Sequence, residues 1–518
     1  MGESDPGRQN CQIGEQMTAR KFDGPMHAQS AGAIVDAIRR KEISSQEATQ
    51  YFIDRIEQHD RHINAIPVRD FDRAMAHARA ADLALSRGEP IGALHGLPIT
   101  VKESFFVDGL PVTYGDPLRT RQVVNRDSAL IETVRRAGAV ILGKSNVPFM
   151  CADWQTDNAV YGETHNPWRT GRSPGGSSGG SAAALAAGLS PLELGSDRAG
   201  SIRVPASFCG IFGHKPTWGT VTARGDSLHG HIAPSDIATA GPMAKTAADL
   251  ALFHRVLVNS ASPAASAWRF DLTAPRGKSL KDYRIAVWSE VSTVRTGEAV
   301  VGQLHRLLEA LTKEAKSVSQ FKPFFDPAEA RRAYSALRVA AVITGKSSDT
   351  LAEYRKFLAS DPAEGVRKRH ASFATMSHLD WARYNEFRHA LRHAWQEFFK
   401  EWDVLICPVT LRDAFETYHE GTPETRLLKV DGIDIDYYDQ EFWPGIIGMC
   451  YLPATVVPIG LSPDGLPIGV QVVSREGADL ESIQVAHLIE VELALHASLP
   501  YAGSENAASP GPRADRER

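Results

Sequence analysis

Residues 172–217 read RSPGGSSGGSAAALAAGLSPLELGSDRAGSIRVPASFCGIFGHKPT. Two glycine–serine clusters, at 175–181 and 200–201, bracket an alanine-rich segment of helix-forming composition. Flexible Gly/Ser linkers carry no apolar surface, whereas here apolar runs at 182–189 and 192–194 follow at once. A glycine cluster joined to helix-forming sequence usually aims backbone N–H groups at something.

Outward from this stretch the pattern alternates. Residues 95–101 (HGLPITV) form a short β-type run that ends at Lys102, and a similar run at 139–143 follows a helix-like 128–137. Such alternation predicts an α/β layered fold. Upstream, Ile34, Val35 and Ile38 stand at helical spacing, Ser44 with Glu47 makes a capping box, and 72–87 is an alanine-rich helix. Downstream, Thr246 and Asp249 start another helix, 284–288 reads as a strand, and 300–400 is mostly helical, most clearly at 331–341 and 381–399. Short apolar runs return at 404–408, 453–461 and 468–473.

The quoted stretch resembles the amidase signature family of serine hydrolases. The family pattern is a GGSSGGS cluster (175–181), an alanine-rich helix, then a GSDxxGSIRxP segment (195–205) and an FCG…KPT tail (208–217), all in order. The resemblance extends over residues 26–495. It implies one large mixed, twisted β-sheet covered by helices on both sides. Residues 1–25 then read as a flexible tail, 26–500 as one domain whose 26–90 part is helical, and 501–518 as a second tail.

Amide hydrolysis needs a nucleophile, a base and donors for the oxyanion. No G-x-S-x-G elbow stands with a convincing histidine and acid. Carried over from the family, Ser201 is the nucleophile, Ser177 the bridging serine after a cis Gly176–Ser177 bond, and Lys102 the base. Backbone N–H groups of Arg198, Ala199, Gly200 and Ser201 form the implied oxyanion hole. A lone lysine after a strand is usually solvated, and a lone serine in a glycine-rich loop is usually a turn residue; the combined motif reverses both readings. A lysine base must be neutral, which burial beside 99–101 favours. Ser178 and Ser181 read as turn or capping residues, with Ser178 also a candidate bond-maker in the site, and Asp197 and Arg203 as groups that fix the loop.

Met150, Cys151, Trp154 and Arg198 are candidate pocket residues, with Tyr161 beside them. Core packing is the plainer reading for Trp154, Tyr161 and Cys151, and Lys144 matches a structural position. The DRAGS segment departs from the family's commoner DTGGS, so Arg198 either points into the pocket toward a polar or anionic group or turns outward to an acid. His389 and His393, at i and i+4, lack a third ligand, and His229 and His231 read as loop residues, so no metal is expected.

Composition sets the outer bounds. The 518-residue chain is 43% hydrophobic and 23% charged, as in a soluble globular protein. Its net charge of −5 offers no footprint for nucleic acid. Five scattered cysteines suit a reduced, cytoplasmic protein. No secretory signal and no membrane span are expected. The expected reaction is hydrolysis of a small-molecule amide, without cofactor, through an acyl-enzyme to acid plus amine or ammonia. Carbamate (urethane) or ester hydrolysis, and an amidotransferase subunit needing glutamine and partners, are the rival readings. A non-catalytic relative conflicts with the intact Lys102, Ser177 and Ser201. A homodimer is the candidate assembly.

Overall fold

The run Val404–Pro408 shows why short apolar segments become strands here. Val404 and Ile406 enter one apolar cluster, while Leu405 and Cys407 enter another on the opposite face. Period-two alternation in which both sides are apolar is the mark of a strand covered on both faces. Ile285 and Val287 against Ala286 repeat the pattern, as do Val457 and Ile459 against Ala454 and Val456.

The computed structural model describes residues 24–222, 235–258, 270–343, 345–360, 363–495 and 499–500. Cys11, His229, His231 and nearly all of both expected tails lie outside the described residues. The strands are β1 (Val68–Arg69), β2 (Pro98–Lys102), β3 (Val140–Ser145), β4 (Leu192–Asp197), β5 (Phe212–Lys215), β6 (Thr239–Ala244), β7 (Arg284–Val287), β8 (Ser317–Gln320) and β9 (Val404–Pro408). A hairpin of β10 (Leu427–Val430) and β11 (Ile433–Asp436) stands apart, and β12 (Ala454–Leu461) and β13 (Pro467–Val473) close the series. Eleven strands make one sheet in the order β1-β3-β2-β4-β6-β5-β12-β13-β9-β7-β8. Pairing is parallel for β2 with β3 and β4 and for β7 with β8 and β9, and antiparallel elsewhere, so the sheet is mixed as expected.

Helices cover both faces. Leu250, Phe253, Leu304, Leu307, Leu480 and Ile483 belong to one cluster; Val204, Phe208, Tyr334, Leu337, Leu391 and Trp395 belong to the other. The capping box of Ser44 and Glu47 is present, and Thr246 accepts from the Asp249 N–H. The apolar run at 192–194 is the start of β4, and the helix Gly179–Ala186 begins inside the glycine cluster.

Candidate active site

Lys102 is the last residue of β2 and has no exposed surface. Beside it, β4 runs parallel, with Val101 opposite Leu194. This register brings Ser196 under the lysine: Nζ lies 3.0 Å from Ser196 Oγ and 2.6 Å from Ser177 Oγ. No carboxylate lies within ion-pair distance of Lys102 among the described residues. Burial therefore pushes its pKa down, and Arg198 adds to this against the opposing pull of Cys151 and Asp197. The nearby Glu193 carboxyl, bonded to Thr100 and Ser145, is raised by burial to about 8 and so stays protonated near neutral pH.

The Gly176–Ser177 peptide is cis, as expected. The glycines before Ser177 answer a close approach: a Cβ on Gly176 would lie 2.4 Å from the Asp153 carbonyl oxygen. Ser178 N–H donates to the Ser201 carbonyl at 3.1 Å, which ties the two serine loops together. Ser178 Oγ also donates to the Ser196 carbonyl at 3.3 Å, while Ser181 Oγ bonds Ser145 Oγ. Ser201 is half-buried, just ahead of the helix Arg203–Cys209, and among the described residues its Oγ makes no hydrogen bond.

Asp197 and Arg203 fix the loop between them. Arg203 donates to Asp197 from Nε at 3.0 Å and Nη2 at 2.9 Å, and both side chains are fully buried. Burial raises the Asp197 carboxyl, but the adjacent guanidinium and N–H donors outweigh it and bring the pKa down to about 2. Asp197 also accepts from Gly200 N–H at 2.9 Å and Ile202 N–H at 3.1 Å. This corrects the expected oxyanion hole: Gly200 N–H is committed to Asp197. The N–H groups of Arg198, Ala199 and Ser201 remain open among the described residues.

Trp154 is 6% exposed, packs against Tyr437 and Tyr438, and donates from Nε1 to the Ala199 carbonyl at 3.0 Å. It is thus both core and loop support. Met150 and Cys151 both hold φ near 53°, a left-handed turn uncommon for such side chains. The Cys151 thiol sits by Lys102, Arg198 and Ser177, and burial pushes its pKa up, which disfavours a thiolate nucleophile. Tyr161 donates to Glu103 at 3.2 Å; Lys144 is buried and bonded to the Pro111 carbonyl, a structural role. His389 and His393 are exposed on the helix His378–Glu401. The one possible metal-holding group among the described residues is His214 of β5 with His254 and Asp479, all fully buried, with His214 bonded to Thr455 and Asp479 to Thr217. Ser196, Glu193 and Tyr334 were missed in the sequence. Their neighbours come from strand register and from a helix over 130 positions away, which no local motif records.

The sheet and its two helical layers are those of the amidase signature enzymes. The chain matches a bacterial aryl acylamidase of that family with a TM-score of 0.76, 24% identity, and coverage of 90% of this chain and 96% of that one. The amidase family model matches residues 47–482, and the chain belongs to that family. It is 31% identical to a glutamyl-tRNA(Gln) amidotransferase subunit of Moorella thermoacetica, over 92% of this chain and 98% of that protein. A solved chain from a vestigial protein complex, described as revealing the evolutionary origins of an s-triazine catabolic enzyme, matches with TM-score 0.76 and 27% identity over 91% of this chain and 100% of its own. No helix among the described residues is long and apolar enough to cross a membrane.

Proposed function

We propose that this protein hydrolyses a carboxylic amide through an acyl-enzyme on Ser201. The observation that carries the reading is Lys102 Nζ, fully buried, without a carboxylate partner, and 2.6 Å from Ser177 Oγ. Neutral Lys102 takes the Ser177 proton as Ser177 takes that of Ser201, and Ser201 Oγ attacks the amide carbon. The N–H groups of Arg198, Ala199 and Ser201 receive the oxyanion in this reading, which is supported by their having no hydrogen-bond partner among the described residues. As the C–N bond breaks, the proton held by Lys102 returns through Ser177 to the leaving nitrogen. Water then attacks the ester by the same relay, releasing acid and regenerating Ser201. The Ser177–Ser201 bond is expected to form when substrate closes the site, since catalytic hydrogen bonds are often long without it.

Mass spectrometry after fluorophosphonate treatment tests this. One adduct on Ser201 is expected, lost in Ser201→Ala together with turnover of acetanilide-type amides. An adduct on Ser178 or Cys151 instead would sink it. Parallel amide, ester and carbamate substrates rank the acyl donors. A second reading, that the chain serves in an amidotransferase, is favoured by the near full-length match to glutamyl-tRNA(Gln) amidotransferase subunits. It predicts glutaminase activity that appears only with partner subunits, whereas turnover of simple amides by the isolated chain supports hydrolysis.

A further inference from the structure

Several buried and half-buried arginines in this protein are paired with acids, while buried Arg55 donates to the Ala187 and Gly188 carbonyls. Arg203 is held by Asp197, Arg338 by Glu441, Arg388 by Asp236 and Arg426 by Asp153. Arg198 breaks this pattern. It leaves β4 three residues before Ser201, and its one side-chain bond runs from Nη2 to Ser235 Oγ at 3.1 Å. No acid pairs with it among the described residues, and its Nε is buried without a partner. A guanidinium cannot shed its charge in a protein, so half-buried Arg198, whose Nε is shut off from solvent, carries a desolvation cost that no counter-ion among the described residues offsets.

A second orphan stands nearby. Tyr334, on the helix Pro327–Ile343, has no exposed surface, and its hydroxyl lacks any hydrogen-bond partner. Burial pushes the Arg198 guanidinium down in pKa and the like charge of Arg338 adds to this, while the Tyr334 phenol is the foremost opposing neighbour, ahead of Cys151 and Tyr114. Cys151 in turn neighbours Lys102 and Ser177. Arg198 is therefore on the catalytic side of the loop, and the acid expected if it turned outward is not found among the described residues.

We propose that the substrate carries a carboxylate, bound by the Arg198 guanidinium and the Tyr334 hydroxyl while Ser201 attacks its amide carbon. This rests on the amide-hydrolase reading above. One fixed positive charge with a planar fork of donors matches a monoanionic, planar carboxylate. A neutral carbonyl would leave the cation uncompensated, and a phosphate dianion would exceed the single charge present.

The test uses matched anilides on the full-length protein. Glutaric acid monoanilide is compared with pentananilide, and 4-acetamidobenzoate with acetanilide, so that the carboxylate lies on the acyl or the amine side. For one pair, kcat/KM should favour the acid by on the order of 10–100-fold, carried mainly in KM. Arg198→Gln should bring that ratio near one, Arg198→Lys should restore part of it, and Tyr334→Phe should lower it several-fold. Tyr334→Phe removes only a hydroxyl that has no partner, so it keeps the test valid if Arg198 variants fold poorly. An enzyme that labels at Ser201 and cleaves neutral anilides with no preference for either acid overturns the carboxylate site alone. Equal losses on acid and neutral substrates in Arg198→Gln and Tyr334→Phe also overturn it. Absence of both Ser201 labelling and anilide turnover sinks the hydrolase reading and this proposal with it.

Discussion

The base role proposed for Lys102 depends on where one strand ends. Its neighbours are Ser177 and Ser196 hydroxyls rather than carboxylates, and burial disfavours its charged form. Lys102→Ala should lower kcat/KM by about 10²–10⁴-fold, the usual contribution of a positioned base. In the wild type the limb should rise with pH, since the neutral amine is the active form, with a midpoint below the ordinary lysine value of 10.5. Near-normal kcat/KM in Lys102→Ala at every pH would reject this role. The closeness of Lys102 to Ser177 was legible through the family resemblance, which pairs two short continuous runs of sequence. Ser196 lies in the family segment 195–205, yet its contact with Lys102 depends on β2 and β4 being parallel neighbours in one register. Arg198 was legible as a departure, but its orientation was not, because that depends on which acids other elements bring or fail to bring.

At the scale of elements, the turn between β4 and the helix Arg203–Cys209 has its shape from one ion pair. Asp197 serves two guanidinium nitrogens and backbone N–H groups at once, and Arg203 continues to the Pro444 carbonyl and Gln471. Asp197→Asn removes the charge while keeping the shape. It leaves Arg203 buried and uncompensated, which costs about 3–5 kcal/mol. Urea melts should show that loss, and fluorophosphonate labelling of Ser201 should slow as the loop loosens. Unchanged stability would mean that water reaches the pair. Helix starts at Ser44 and Thr246 could be read from sequence because a capping hydroxyl and the residue whose N–H donates to it lie three positions apart. The β4 strand could not, since a six-residue segment ending in Gly-Ser-Asp beside an alanine-rich helix has no period of its own.

Over the whole molecule, an α/β layered fold was readable from short apolar runs alternating with helices and the doubly covered sheet from the family resemblance, but the strand order was not. β12, from residues beyond 450, enters between β5 and β13 and so joins the two halves of the sheet. Beside that junction, Lys215 of β5 stands opposite Ala454 of β12. It is 1% exposed and donates to the Pro216 carbonyl at 2.7 Å. Burial first, and Arg203 next, lower its pKa from 10.5 to about 7, against the pull of Asp197 and Asp479. The unfolded chain thus binds a proton at Lys215 that the folded chain has lost between pH 7 and 10.5. Stability on this account rises with pH through that window, and below pH 7 the folded protein bears the full cost of a buried ammonium. Lys215→Met keeps an apolar stem and has no proton to bind. Its stability relative to wild type should therefore be greatest at about pH 6 and fall by on the order of 3–5 kcal/mol by about pH 10. Urea melts of the pair at about pH 6, 8 and 9.5 measure this directly, since other titrating groups cancel in the difference. A difference that stays constant with pH would show that Lys215 keeps its proton in the folded sheet.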